Sequence, residues 1–190
     1  ITRGGASIAQ FVDVLDQVLS GLSHAHERGI LHRQVSPSTI RLVPDRGGRE
    51  TVRLSGVGTS TALPSNAFFV SGDVTMAPEQ VLGKAVDERT DLFAAAATAY
   101  AMLVGEGPFA REATFQETLR AIVYDKPLDV RMRRPRISRA LAEWIERGMH
   151  KDPRERFSSA SEMQDALLRA LVRTIEGPTR ETVRARDSSP

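Results

Sequence analysis

The chain has 190 residues, of which none is cysteine, only three are lysine and 5% are aromatic. The absence of cysteine excludes a disulfide scaffold, a cysteine-based zinc site, an iron–sulfur cluster and a thiol nucleophile. It is consistent with a reducing compartment, and we expect a cytoplasmic protein. The longest apolar run, Leu92–Val104, is interrupted by Thr98. This run is shorter than the ~20 residues of a membrane-spanning helix, so we expect no membrane segment in this stretch.

Basic residues are almost all arginine, with 23 Arg against 3 Lys, and 24 acidic residues leave a net charge of +2. We attribute the bias to composition rather than to nucleic-acid binding. The densest run surrounds Pro135, where no aromatic residues interleave for base stacking, so we expect a solvated loop. Phosphate, an acidic partner or, more weakly, nucleic acid are its alternative ligands. The run comprises Arg131, Arg133, Arg134, Arg136 and Arg139.

Hydrophobic spacing predicts a mainly α protein with one small β-hairpin. Apolar residues recur every three to four positions from Ser7 to Arg28, and Gly29 ends that helix. A second helix, Asp91–Leu103, is apolar nearly all round and is therefore expected to be buried. The other predicted strands are the hairpin strands at 40–43 and 51–54. The other predicted helices are a short one after Pro78, one opened by a capping box at Thr114–Glu117, one through Leu141–Met149 and one opened by a capping box at Ser159–Glu162.

Two segments lack such periodicity. Residues 55–74 are rich in Gly, Ser and Thr and predict a long loop, which in a compact domain is usually functional or disordered. The chain becomes polar and charged at its end, which predicts disorder. We therefore expect one domain over residues 1–173 and a disordered tail over residues 174–190. Because the first residue is Ile1, we expect the chain to be an excerpt of a longer protein.

Four motifs occur in an informative order. Residues 24–42 read HAHERGILHRQVSPSTIRL, and Met76–Glu79 read MAPE. Residues 87–93 read DERTDLF, and Lys151–Phe157 read KDPRERF. Together they resemble the catalytic loop, the A-P-E segment, the central helix and the K-D-P-x-x-R-F signature of bacterial Ser/Thr protein kinases. The resemblance implies the helical C-terminal lobe of that fold, with its long activation-type loop beside the hairpin.

The same resemblance implies that the smaller lobe is not in this chain. The glycine-rich phosphate loop, the strand lysine and the helix glutamate of the family should all lie upstream. No G-x-G-x-x-G pattern occurs in the 190 residues.

Several positions depart from the family pattern. Gln34 stands where the family has its catalytic aspartate, and an amide cannot accept a proton at neutral pH. Ser36 replaces the lysine, Thr39 replaces the metal-binding asparagine, and Gly56 replaces the D-F-G aspartate. Since Mg²⁺ needs oxygen ligands such as carboxylates, we expect no intact catalytic residues, no metal site, and doubtful binding of ATP and Mg²⁺.

Arg41 departs from the pattern in another way. The family has an apolar residue there, which forms the floor beneath the adenine ring. If the strand keeps its register, the Arg41 guanidinium points into the nucleotide slot, and we expect it to block that slot. Stacking on a base is the alternative, because an unpaired charge is costly to bury.

Positions that match structural residues of the family are retained. Glu79 and Arg156 match a buried ion pair, Asp91 matches the carboxylate that holds the catalytic-loop backbone, and His32 matches a packing histidine. Arg33 matches an arginine that often pairs with a phosphorylated loop residue, although a plain structural hydrogen bond is the favoured interpretation.

Three further side chains are predicted to have no catalytic or metal-binding role. His24 and His26 lie near a helix end and are interpreted as ordinary polar positions rather than metal ligands. Trp144 lies at core spacing and is expected to pack.

Loss of the transfer residues with retention of the scaffold residues predicts a pseudokinase that is not an enzyme. We expect a regulatory or scaffolding module that binds protein partners, such as a kinase or another signalling protein. One alternative is weak, non-standard phosphotransfer when the chain is joined to an upstream lobe. Another is a solitary lobe that docks on a true kinase through the apolar cleft around Ile40, Leu42 and Val57.

Overall fold

The computed structural model describes residues 8–57, 74–109 and 114–175. Its helices and strands, in chain order, are α1 (Ile8–His26), β1 (Ile40–Pro44), β2 (Glu50–Leu54), α2 (Pro78–Val81), α3 (Glu88–Val104), α4 (Phe115–Tyr124), α5 (Val130–Arg133), α6 (Arg139–Gly148), a 3₁₀ turn (Pro153–Glu155) and α7 (Ala160–Ile175). The predicted fold class, mainly α with one hairpin, is confirmed. Residues 174 and 175, predicted to begin a disordered tail, belong to α7 instead. The rest of that tail, residues 176–190, lies outside the described residues, as does most of the predicted 55–74 loop.

Helix α3 forms the centre of the core. Its residues are continuously buried from Thr90 to Tyr100, as its apolar composition predicts, and it packs against α1, α6 and α7. The helix begins three residues before the predicted start because the Asp87 side chain caps it, accepting a hydrogen bond from Arg89 N at 2.9 Å. It ends at Gly105, whose φ of 88° is a left-handed conformation that favours glycine.

Helix α1 lies against α3 and α7 through the apolar stripe that its spacing predicts. Its outer side also holds the hairpin in place. Gln17 Nε2 donates to Glu50 O at 3.4 Å, and Gln17 Oε1 accepts from Val52 N at 2.9 Å. This side-chain amide pairs with the free edge of β2 as a neighbouring strand would.

The hairpin is antiparallel, with Ile40 opposite Leu54 and Leu42 opposite Val52. These four apolar side chains are partly buried and pack against the core. Because side chains alternate along a strand, the residues between them lie on the opposite face.

Helices α6 and α3 approach each other closely at Gly148. A β-carbon built on Gly148 would lie 2.5 Å from Ala96 Cβ and 3.2 Å from Met163 Cε, which is too close for a side chain. Trp144, also on α6, is buried as predicted, and its Nε1 donates to Met163 O at 2.8 Å. These contacts join α6 to both α3 and α7.

The start of α7 differs in one detail from the predicted capping box. Ser159 Oγ accepts from Glu162 N at 3.1 Å, as expected for a capping residue. The Glu162 carboxylate, however, accepts from Ser158 N and Ser158 Oγ, both at 2.7 Å, and from Arg147. The Glu162 carboxylate therefore binds Ser158 rather than the predicted Ser159, because Ser158 provides two hydrogen-bond donors and Arg147 provides a positive charge.

Across the three described ranges, none of the helices combines the length and the apolar character that crossing a membrane requires.

Gly148→Ala should destabilise the protein because the new methyl group collides with Ala96. Overpacking of this kind typically costs ~1–3 kcal/mol of unfolding free energy, measurable by denaturant unfolding of the full-length protein. Gly21→Ala in α1 is the matched control, since its β-carbon would only make ordinary contact with Leu54 Cδ1 at 3.5 Å. That control should be neutral or stabilising by up to ~1 kcal/mol. Equal unfolding free energies for Gly148→Ala and the wild type would contradict the close approach.

Candidate functional site around residues 31–39

The loop formed by residues 31–39, called loop 31–39 below, connects α1 to β1 and is held from beneath by Asp91. This carboxylate is completely buried in the first turn of α3. Its Oδ2 accepts from His32 N at 2.8 Å and from His26 Nε2 at 2.9 Å, and its Oδ1 accepts from Arg33 N at 2.6 Å. One carboxylate thus fixes the end of α1 and the backbone of loop 31–39 together.

His26 is a participant that the sequence interpretation missed. It is buried and contacts Asp91, whereas an ordinary polar position was predicted. Its signal was present in the sequence, because His26 lies four residues after Leu22 and continues the buried stripe of α1. By contrast, His24 is exposed and lies 3.1 Å from the Arg28 guanidinium, as an ordinary polar position would.

Arg33 has a φ of 67°, the one positive φ outside glycine among the described residues. A left-handed conformation is strained for a residue of this size and persists only when its surroundings hold it. Asp91 holds the Arg33 N–H, and Gln80 Nε2 donates to Arg33 O at 2.8 Å. Gln80 Oε1 also accepts from Ala77 N at 3.0 Å, so α2 and loop 31–39 are linked through one side chain.

A second link runs through Val35 O. It accepts from Thr75 Oγ1 at 2.5 Å and from Thr98 Oγ1 at 3.4 Å, and both threonines are buried. Neither Gln80 nor these threonines were identified from the sequence. Loop 31–39 is therefore fixed on one side by α3 and on the other by the segment that leads into α2.

The buried ion pair between Glu79 and Arg156 holds α2 against the first turn of α3. Its two hydrogen bonds are parallel, Nη1 to Oε1 at 2.7 Å and Nη2 to Oε2 at 2.8 Å. Thr90 Oγ1 donates to the same carboxylate at 2.8 Å, and Arg156 also donates to His150 O and Arg89 O. The charges are thus fully hydrogen-bonded, which a buried pair requires to be stable.

The ionisation of Glu79 reflects this environment. Burial by itself would raise its pKa, but the hydrogen bonds and the charge of Arg156 outweigh burial, with help from the Glu79 backbone and Thr90, and lower the pKa below its usual value of 4.5. Glu79 is therefore ionised at neutral pH.

The first residue of the KDPRERF motif, Lys151, caps the C-terminal end of α4. Lys151 donates to Ile122 O and Ala121 O, and its ammonium lies 4.3 Å from the centre of the Phe109 ring. Burial lowers the pKa of Lys151 to about 8, an effect to which nearby Arg156 adds. Asp152 caps the 3₁₀ turn by accepting from Arg154 N at 2.9 Å.

His32 is buried in loop 31–39, and burial lowers its pKa below 6.5 despite the nearby Asp91 carboxylate. The imidazole is therefore neutral at pH 7. Its Nδ1 accepts from Gln34 N at 3.3 Å, a contact within the loop. These contacts give His32 a packing role.

Loop 31–39 also carries the amide of Gln34 and the hydroxyls of Ser36, Ser38 and Thr39, of which Gln34 and Ser38 are exposed. Gln34 is exposed, and its side-chain amide makes no hydrogen bond within the described ranges. Thr39 Oγ1 donates to Gln34 O or Ser36 O, at 3.1 and 3.0 Å, and accepts from Ser36 N at 3.0 Å. Ser36 is buried and lies 2.8 Å from Ser38 Oγ. The hydroxyl of Thr39 therefore serves the shape of the loop.

These positions do not fit a magnesium ion held in the way that the resemblance implies. Gly56 has no side chain and a φ of 81°, and the Thr39 hydroxyl is engaged within its own loop. In the described parts of the chain, no three His, Asp or Glu side chains are grouped closely enough to hold a metal ion. Residues 58–73 lie outside them. They include Asp73, the carboxylate that weak phosphotransfer would need as a substitute metal ligand, and the loop residues that are candidates for phosphorylation and pairing with Arg33, namely Thr59, Ser60, Thr61, Ser65 and Ser71.

Arg41 lies on β1, directly opposite Arg53 of β2. Its side chain is exposed and makes no hydrogen bond or ion pair with loop 31–39 or with the other described residues.

The charge of the basic run near Pro135 is partly neutralised, since Arg133 pairs with Glu106 at 2.9 Å and Arg139 pairs with Glu143 at 2.7 Å.

Glu79→Gln should lower the unfolding free energy by ~3–5 kcal/mol at pH 7, because Arg156 is left buried without its counter-charge. A carboxyl with a lowered pKa stabilises the fold above its usual pKa of 4.5, and that stability is lost as the pH falls through the lowered pKa. The wild type should therefore lose stability below about pH 4.5, and the variant should lose less. Glu143→Gln is the control, because it removes an exposed pair that solvent screens, and it should cost far less stability than Glu79→Gln. Equal costs for the two variants in urea unfolding would contradict the role of the buried pair.

The known proteins compared below with this chain are protein kinases. The family model described as "Protein kinase domain" matches residues 2–168. The serine/threonine-protein kinase PknJ of Mycobacterium tuberculosis is 34% identical over 169 residues, covering 86% of this chain and 29% of the relative. Serine/threonine-protein kinase Pkn1 of Myxococcus xanthus is 33% identical, covering 90% of this chain and 25% of the relative. The chain thus spans under a third of the length of these curated relatives.

A solved structure shows the same fold. The crystal structure of the Mycobacterium tuberculosis PknI kinase domain aligns with a TM-score of 0.68 and 26% sequence identity. The alignment covers 88% of this chain and 57% of that kinase domain.

These findings correct one expectation. The prediction that the protein is not an enzyme is wrong, because the matching family model is that of the protein kinase domain and both relatives reported above are serine/threonine-protein kinases. The departures from the family pattern at Gln34, Thr39 and Gly56 stay predictions. With a family model that matches most of its length, this chain belongs to the bacterial Ser/Thr branch of the protein kinase family.

Proposed function

We propose that this chain is the helical lobe of a bacterial Ser/Thr protein kinase family member that acts mainly as a regulatory or scaffolding module for protein partners. Phosphoryl transfer by the whole protein, joined to its other kinase lobe, is slow. The observation that carries this proposal is a contrast between the residues that support loop 31–39 and the residues that stand at its catalytic positions. The buried hydrogen bonds that support loop 31–39 are present, whereas Gln34, Ser36 and Thr39 carry an amide and hydroxyls where the resemblance implies reacting and metal-binding groups.

The slow rate follows from the chemistry of Gln34. Phosphoryl transfer to a hydroxyl is assisted by a carboxylate that accepts the hydroxyl proton. An amide oxygen does not accept a proton at neutral pH, and general-base catalysis contributes typically ~10²–10⁴-fold to rate. Gln34 is exposed and can still position a hydroxyl by hydrogen bonding, so binding of a partner chain is compatible with this site.

The binding role is supported by the surface near α2. Helix α2 packs against α4, and an exposed apolar side chain lies at the end of each helix. Leu82, which follows α2, is 45% exposed, and Tyr124, which ends α4, is 73% exposed. Exposed apolar side chains on neighbouring elements are typical of protein-interaction sites. The Glu79–Arg156 pair holds this surface in a fixed relation to loop 31–39.

Restoring the base should raise the rate of phosphotransfer. In the full-length protein, the triple variant Gln34→Asp, Thr39→Asn, Gly56→Asp should transfer phosphate from Mg-ATP ~10²–10⁴-fold faster than the wild type, measured with radiolabelled ATP. Asp and Asn tolerate a left-handed backbone better than other side chains, so position 56 can accept Asp. Ser36 is left unchanged because it is buried.

The matched control replaces Gln34 with Asn in the same triple variant, so that only a carboxylate differs from an amide. This control should stay near the wild-type rate. A wild-type protein as fast as the Asp variant would overturn the slow-transfer part of the proposal.

The binding role predicts a separation of function in the native cells. A chromosomal Gln34→Ala variant should retain the cellular phenotype of the wild type, because the proposed role does not depend on the rate of transfer. A Leu82→Arg, Tyr124→Arg variant should lose that phenotype while its protein level stays normal. Val172→Arg on α7, where the side chain is 52% exposed, is the control and should behave as wild type. Loss of the phenotype with Gln34→Ala alone would contradict a mainly binding role.

A further inference from the structure

The outer face of the β-hairpin carries two arginines directly opposite each other. The register pairs Arg41 of β1 with Arg53 of β2, and both side chains are exposed. The neighbouring pairs on either side, Ile40 with Leu54 and Leu42 with Val52, point to the core. Directly opposed residues in an antiparallel pair have β-carbons roughly 5 Å apart, so the two guanidinium groups can reach one ligand.

Neither arginine has a counter-charge or a hydrogen-bond partner among residues 8–57, 74–109 and 114–175. The nearby acids are engaged or lie elsewhere. Asp13 pairs with Arg49 at 3.1 Å, and Asp45 Oδ1 accepts from Gly47 N and Arg49 N within the turn. Glu50 follows the alternation of Val52 and Leu54 and so belongs to the opposite face of β2.

An unpartnered pair of like charges directly across two strands destabilises the hairpin. A shift of register would separate the arginines, but it would also turn the apolar face outward. The contacts of Gln17 with Glu50 O and Val52 N hold the strand against such a shift. The repulsion between Arg41 and Arg53 is therefore built into the hairpin register, nothing in the described parts of the chain relieves it, and a bound anion would.

We propose that Arg41 and Arg53 together bind the phosphate dianion of a small phosphorylated ligand, without a divalent metal. Two guanidinium groups balance the two charges of a phosphate dianion, whereas a single carboxylate would leave one arginine unpaired. The planar donors of arginine also match phosphate oxygens in a bidentate manner. The pair replaces the positive charge that a metal ion would otherwise bring to a phosphate. This inference does not depend on the rate of phosphoryl transfer.

The test uses the full-length protein in EDTA with inorganic pyrophosphate as the probe, measured by calorimetric titration and by thermal unfolding. Chloride at equal ionic strength provides the reference for general salt effects. Pyrophosphate should bind and raise the melting temperature above that reference. Arg41→Gln and Arg53→Gln should each weaken pyrophosphate binding roughly 10- to 100-fold, as expected for loss of charge-assisted hydrogen bonds.

Arg46→Gln is the matched control, because Arg46 is an exposed arginine in the turn of the same hairpin and its loss changes the net charge equally. It should retain pyrophosphate binding. Without pyrophosphate, Arg53→Gln should unfold at the same temperature as the wild type or higher, because the repulsion is removed. This result also shows that the variant folds.

The ligand source follows from a comparison of pyrophosphate with ATP in the same buffer. Equal affinities identify a free phosphate anion as the ligand, and tighter ATP binding that both substitutions abolish identifies a nucleotide held by its phosphates. Pyrophosphate binding that survives both substitutions, or that Arg46→Gln weakens equally, would overturn the proposal. Slow or fast phosphotransfer leaves these readouts unchanged, so the failure of the proposed function would be seen separately.

Discussion

Asp91 lies completely buried in the first turn of α3, where its two carboxylate oxygens accept hydrogen bonds from three donors. Two donors are backbone N–H groups of loop 31–39, and the third is His26 at the end of α1. A carboxylate this deep is tolerated only because each contact is satisfied. The position of loop 31–39 relative to the core therefore depends on this side chain, and so does the left-handed backbone of Arg33.

Around Asp91, the residues that hold loop 31–39 in place are different from those at the positions where the family has its reacting groups. Gln80, Thr75 and the Glu79–Arg156 pair fix α2 and loop 31–39 to the core through buried hydrogen bonds. These contacts do not require an aspartate at position 34 or an asparagine at position 39. Thr39 keeps a hydroxyl that closes the loop on itself, which stabilises the loop without leaving an oxygen free. A kinase fold can in this way change its reacting groups while its scaffold stays intact.

Local features were predictable where the cause of the structure is local. Helix α1 follows from its apolar spacing, and the hairpin follows from two β-prone runs around a Gly-rich turn. Boundaries differed by a few residues where a cap decided them, as at Asp87. The capping box predicted at Ser159–Glu162 was correct for Ser159 but not for Glu162. The Glu162 carboxylate accepts from Ser158 and Arg147 instead of from the backbone N–H of Ser159.

Sequence by itself determined the helical fold class, the buried nature of α3 and the family, because these depend on periodicity and on ordered motifs. It also predicted departures from the family pattern at Gln34, Thr39 and Gly56. Only the tertiary structure decided that His26 contacts Asp91, that Gln80 holds Arg33 and that Arg41 faces Arg53. The first two contacts join residues 65 and 47 positions apart, so they arise only when the helices pack. The arginine pair depends on the hairpin register, which the packing of its other face selects.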